Sequence, residues 1–168
     1  MKQNFFLRFL LLLVAQILLC NYFHVTQYIM LSILPAMILC LPTRMGTVPA
    51  MLIAFVSALA VDFLAEGLVG INAIALVPVA LCRRELCRAI FGSELIVRGD
   101  AFSISRNGAV KVIFALTVVQ SLFLLVYLWA DGAAARPLMF NALRFACSLV
   151  SGVLLSIPVT RILCPEDR

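Results

Sequence analysis

Two carboxylates close a ladder in which each residue follows the last by four: Ala50, Ala54, Ala58, Asp62 and Glu66. Side chains at that spacing stack into one inclined ridge on a helix. Three alanines on the ridge let another helix approach closely, the packing mode of membrane helices, although alanine is also simply common there. The ridge drifts by about 40° per step, so a crossing helix covers it better than a straight one. Asp62 lies at the outer end of an apolar run, where an ionised carboxylate costs about 3 kcal/mol. It should turn inward, take up a proton or find a cation. Arg144 is the candidate cation, entering about 9 Å deep on the last apolar segment. The expected chemistry is an ion pair or hydrogen-bonded cluster between Asp62 or Glu66 and Arg144; the alternative is an arginine that snorkels alone to the headgroups.

After the ridge comes Glu66-Gly67-Leu68-Val69-Gly70-Ile71-Asn72-Ala73. Two glycines three apart, then an asparagine opening a helix, predict a tight and partly unwound hairpin. Asp62, Glu66, Asn72, Arg144 and Asn141 would then form a small polar site facing outward; otherwise the segment is a plain capped turn. His24, the single histidine, lies on the first outer turn, where a lone histidine is usually just solvated. Cys20, Cys40, Cys82, Cys87, Cys147 and Cys164 are scattered without metal-ligand spacing and read as small buried residues. No nucleophile elbow, phosphate loop or zinc-protease motif is present, so no catalytic residue, cofactor or metal is expected.

The elements that must position these residues are membrane spans. The hydrophobic fraction is 64%, charged residues are 12% and mean hydropathy is +1.13, against about 25% charge in a soluble domain. The sequence predicts an all-α, six-helix bundle as one domain over 1–168, with spans near 5–20, 27–41, 47–64, 68–82, 109–130 and 138–164. Spans two and four carry about 15 clearly apolar residues, roughly 22 Å of helix against a 30 Å core, so they draw in polar flanks or fall short. Span two is interrupted by Pro35 and span four contains Pro78. Span five, without proline, is expected to face lipid. Segment 83–108 reads as a polar cytoplasmic connection that begins either as an extension of span four or as an amphipathic piece on the inner leaflet.

With the N-terminus inside, eleven of the thirteen basic residues fall on the cytoplasmic side: Lys2, Arg8, Arg44, Arg83, Arg84, Arg88, Arg98, Arg106, Lys111, Arg161 and Arg168. That is the positive-inside pattern, and it places both termini in the cytoplasm. The first segment resembles a signal peptide, but no cleavage site follows, so it reads as an uncleaved span. The net charge of +5 flanks apolar segments without aromatic interleaving, which points to anionic lipid rather than nucleic acid. Ser148, Ser151 and Gly152 on span six are a second set of small residues available for helix docking, beside Ala50–Ala58.

Asp62, followed after seven residues by Gly70-Ile71-Asn72-Ala73, resembles the MreD family of bacterial rod-shape-determining membrane proteins, in which the third span ends in aspartate and Gly-hydrophobic-(His/Asn)-Ala opens the fourth. Length, early tight hairpins and a Leu-rich first span near Gln16 fit the same plan; segment 83–107 has no counterpart. The resemblance implies a bundle similar to the substrate-binding component of energy-coupling-factor vitamin transporters. It implies a non-enzymatic role in cell shape and peptidoglycan elongation at the bacterial inner membrane. The implied partners are an MreC-like single-span periplasmic protein, the MreB cytoskeleton and a wall synthase pair. The competing class is the vitamin-uptake subunit itself, although the first span lacks the Ala-x-x-x-Ala motif with which such subunits dock.

Overall fold

The computed structural model describes residues 2–22, 29–67, 70–92, 108–132 and 137–164. Helix α1 runs Lys2–Tyr22, α2 Leu34–Leu39, α3 Thr47–Val61, α4 Ile71–Phe91, α5 Ala109–Ala130 and α6 Leu138–Leu163; α3 continues into a π-helical turn, Asp62–Glu66. Stretches within α1, α3 with its π turn, α5 and α6 are long and apolar enough to cross a membrane: Phe5–Tyr22, Thr47–Ala65, Ala109–Ala130 and Met139–Leu163. Six α-helices lie among the described residues, and the second and fourth depart from plain apolar spans.

Among the described residues of span two, only six are helical, Leu34–Leu39. Pro35 sits in the first turn of α2; it has no N–H to give the Leu31 carbonyl, and its ring would collide with that carbonyl in a continuous helix. Residues 29–33 are accordingly not helical. Non-helical backbone can advance up to about 3.3 Å per residue against 1.5 Å in a helix. A segment too short to cross as helix therefore gains reach by staying partly unwound. Every residue of α2 is buried. Helix α4 is continuous to Phe91 and stops at Gly92, whose φ of 82° ends the helix. Arg83, Arg84, Glu85 and Arg88 thus lie on an extension of span four, the first of the two expectations; residues 93–107 fall outside the described set.

The ends of the bundle sort as the charge pattern requires. Arg8 near the start of α1 donates to the Ile162 carbonyl near the end of α6, at 3.2 Å. Cys164 and Cys40 meet at 4.0 Å, Sγ to carbonyl oxygen. The start of α1, the ends of α2 and α6 and the Arg83 stretch of α4 therefore share one end, where Arg8, Arg83 and Arg161 lie among the described residues. At the other end Asn21 donates to the Leu64 carbonyl at 3.3 Å.

Helix α5 faces outward on one side only, where Val110, Phe114, Leu125 and Trp129 are exposed. It buries Val112, Ala115, Leu116, Val119, Gln120, Phe123, Leu124 and Tyr127, a stripe at helical period, and it is the most enclosed of the four long apolar helices. Lack of proline carries no information on lipid exposure, because both faces of a membrane helix are apolar. The stripe's one amide, Gln120, is what marks its inner side.

Two ridges of small residues close the packing. Ala50, Ala54 and Ala58 are at most 1% exposed, and α3 packs most extensively on α4. The alanine ridge is thus used inside the chain rather than offered to a partner. On α6, Ser148, Gly152, Ser156 and Thr160 form a second four-residue ladder, all buried. Ser156 and Thr160 return their hydroxyls to the carbonyls four residues back, at 2.6 and 2.8 Å, which removes their polar cost and leaves a slim face.

Candidate functional site

Asp62 is fully buried at the point where α3 widens into its π turn, a backbone irregularity frequent at functional positions. Gly67 donates its N–H to the Asp62 carbonyl at 2.9 Å and takes φ 70°, turning the chain back. Gly70, at φ 107°, then directs the chain into α4. Both values lie in the left-handed region that glycine alone enters without strain. The Asp62 carboxylate caps α4 from outside. Its Oδ2 accepts from Gly70 N at 2.8 Å; its Oδ1 accepts from Asn72 N at 3.2 Å and Asn72 Nδ2 at 2.7 Å. An anion at a helix N-terminus is favoured both by the unpaired N–H groups and by the helix dipole. Asp62 is thereby satisfied by neutral donors and needs no cation.

Arg144 accordingly goes elsewhere. Its Nη1 lies 2.5 Å from Asp131 Oδ2, with the two side chains 14% and 17% exposed. Asp131 follows the last residue of α5 and so is close in the chain to the start of α6 at Leu138. The expected Asp62–Arg144 pair is replaced by Arg144–Asp131. The side chain of Glu66, and His24, lie outside the described residues. Of the residues singled out from sequence, Asp62, Gly67, Gly70 and Asn72 are joined directly, with Ala73 buried beside them. Arg144 belongs to a separate cluster.

A second polar group was not anticipated. The unwound residues 29–33 carry backbone groups that lipid cannot satisfy, and irregular backbone at membrane depth survives only where protein supplies partners. Three helices supply them. Gln16 on α1 donates from Nε2 to the Leu31 carbonyl at 3.1 Å and accepts from Ile33 N at 2.8 Å on Oε1. Ser148 on α6 accepts from Met30 N at 2.9 Å. Gln120 on α5 approaches the Ser32 carbonyl at 3.4 Å. All three side chains are 1% exposed. Gln16 and Gln120 are amides inside otherwise apolar helices, a signal visible in the sequence when set beside Pro35. Ser32 Oγ and Gln120 Oε1 remain without a hydrogen-bond partner in the protein.

At the basic end, Arg83 turns inward, 6% exposed. Its Nε donates to the Leu39 carbonyl at 3.3 Å and its Nη2 to the Leu41 carbonyl. A cation thus caps the C-terminal carbonyls of α2, which have no partners within so short a helix. Burial lowers the Arg83 pKa; it raises that of the neighbouring Cys87 thiol, an effect partly offset by the Arg83 charge. Among the described residues no group of three or more His, Cys, Asp or Glu could hold a metal.

Comparison of the chain with protein-family models, with curated proteins and with solved structures finds no match.

Proposed function

We propose that the chain is a non-enzymatic membrane scaffold of the MreD kind, serving bacterial cell-shape determination and lateral peptidoglycan elongation by holding an MreC-like single-span protein. The observation that carries this reading is the Asp62 clamp. The residues on which the resemblance rests, Asp62, Gly70 and Asn72, are bonded to one another and build the turn between α3 and α4. A motif that forms one structural unit is a firmer basis for resemblance than the same letters scattered over a fold. The test is capture of the tagged chain from native bacterial membranes. A single-span coiled-coil companion, together with loss of rod shape on depletion, is the expected result. Recovery with an ATPase module and without such a companion overturns it.

A second reading draws on a different observation. Non-helical backbone at residues 29–33, with Ser32 Oγ and Gln120 Oε1 unpartnered, is akin to the unwound stretches with which transporters bind solutes. It favours a solute-binding subunit of the vitamin-uptake type. A vitamin-sized molecule retained by the purified chain would select this reading over the scaffold.

A further inference from the structure

Two thiols meet where the second and the last spans end. Cys40 is the C-cap of α2 and Cys164 that of α6, 124 residues apart in the chain. The Cys164 Sγ lies 4.0 Å from the Cys40 carbonyl oxygen, and the two thiols are hydrogen-bonded to each other. Both residues are buried, Cys40 at 2% and Cys164 at 6% exposure. The backbone beside each is pinned. Arg83 grips the Leu39 and Leu41 carbonyls, on either side of Cys40, and Arg8 holds the Ile162 carbonyl just before Cys164.

The register of the two segments requires this meeting. Met30 N meets Ser148 Oγ at 2.9 Å, and from Ser148 to Cys164 helix α6 rises about 24 Å. Span two joins the same two contacts by the stretch from Met30 to Cys40, which would rise only about 15 Å as a helix. The non-helical residues ahead of α2 supply the difference. Cys40 is thus delivered to the end of α6 by the same unwound backbone that Gln16 and Gln120 hold. A disulfide is about 2.0 Å long, a short approach for two sulfurs already in contact. Such a bond would fasten span two to α6 at its second end, as the Met30–Ser148 hydrogen bond does at the first.

We propose that Cys40 and Cys164 form a redox-closable dithiol whose disulfide latches the end of α2 to the end of α6. A low-molecular-weight disulfide is the oxidant. The Cys164 thiolate, on the less buried of the two residues, attacks it and displaces one small thiolate. The Cys40 thiolate then attacks the Cys164 sulfur of the mixed disulfide and displaces the second. One S–S bond breaks and another forms, while two electrons and two protons pass from the cysteines to the oxidant. Cys87 also lies near Cys40 and is the rival partner. The latch is independent of the scaffold reading and stands or falls without it.

The experiment equilibrates the full chain, purified in detergent, with mixtures of mercaptoethanol and its disulfide, hydroxyethyl disulfide. Remaining thiols are then alkylated in denaturant and the peptides read by mass spectrometry. Cys40 and Cys164 should lose alkylation together, and a peptide joining them should appear. This should happen at thiol-to-disulfide ratios several-fold higher than those at which the half-buried Cys20, Cys82 and Cys147 begin to react. Closure should raise the thermal midpoint of the native chain, and the same mixtures should leave that of Cys164→Ser unmoved. Cys40→Ser should leave Cys164 no more readily oxidised than Cys82. A link from Cys40 to Cys87 overturns the pairing. So does a Cys164 that carries the small thiol without ever linking, or alkylation of both thiols at every mixture. A Cys40–Cys164 link that leaves the thermal midpoint where it was shows that nothing is latched, and refutes the proposal equally. The native chain decides by itself where a serine variant fails to fold.

Discussion

Gly152 on α6 and Gln120 on α5 are packed so closely that residue 152 has no room for a side chain: a Cβ there would lie 2.3 Å from Gln120 Nε2. The glycine is what lets the amide reach the Ser32 carbonyl. Gly152→Ala should displace Gln120 and destabilise the fold by about 1–3 kcal/mol, as overpacking does, seen as a lower thermal midpoint in detergent. Combining it with Gln120→Ala should recover much of the loss. Strict additivity of the two changes would show that the contact is not the cause.

Gln16 holds one backbone acceptor and one backbone donor of the unwound segment at once. Gln16→Leu orphans both inside the membrane, at about 1–3 kcal/mol each. The variant should insert normally yet lose monodisperse, folded protein on size exclusion. Gln16→Leu with wild-type thermal stability would sink the assignment.

Asp62 accepts three hydrogen bonds, and charge-assisted bonds are worth about 1.5–3 kcal/mol each. Asp62→Ala should therefore be severely destabilising. Asp62→Asn, which keeps an acceptor oxygen but loses the charge, should fall between. A stability order with Asn equal to Ala would mean that the charge, not the geometry, is what α4 requires.

Ala54 is fully buried on the α3 ridge. Ala54→Leu should damage folding rather than partner capture, since the added carbons meet the chain's own packing. Membrane levels and thermal midpoint should drop together. A stable variant that captures fewer companions would place the ridge at an external interface instead.

Cys87 is 4% exposed, and burial raises its pKa, so less thiolate is present at any given pH near neutrality. Thiolate is the reactive form. Cys87 should alkylate more slowly than the half-buried Cys82 at pH 7.5, and raising the pH should narrow the gap. Equal rates, followed by peptide mass spectrometry, would contradict the inward placement of the Arg83 end of α4.

The four long spans, the common end for the basic residues and the hairpin at Asp62 were legible because each rests on local pattern: apolar length, charge asymmetry and glycines flanking an acid. The partner of Arg144 was not. Depth along a helix says how far two residues lie from a surface but not which sides of the bundle they occupy, and Asp131 is the carboxylate that Arg144 meets. Burial of α5 was hidden for a related reason: lipid and core are equally apolar, so the side that faces inward leaves no hydrophobic trace. Gln16, Gln120 and Pro35 were each visible. Only the fold shows that the two amides serve the backbone that the proline leaves unwound.

The partners of residues 30–33 also set a timetable for biogenesis. Gln16 is synthesised before the segment, but Gln120 comes 88 residues after Ser32, and Ser148 comes 118 residues after Met30. While the ribosome is still producing the middle of the chain, this stretch has half its hydrogen-bonding complement. It must wait beside the insertion machinery, at the water boundary or as a temporary helix, until the last segments arrive. Truncation ahead of residue 148 should thus strand the second crossing and mark the nascent chain for membrane quality-control proteases.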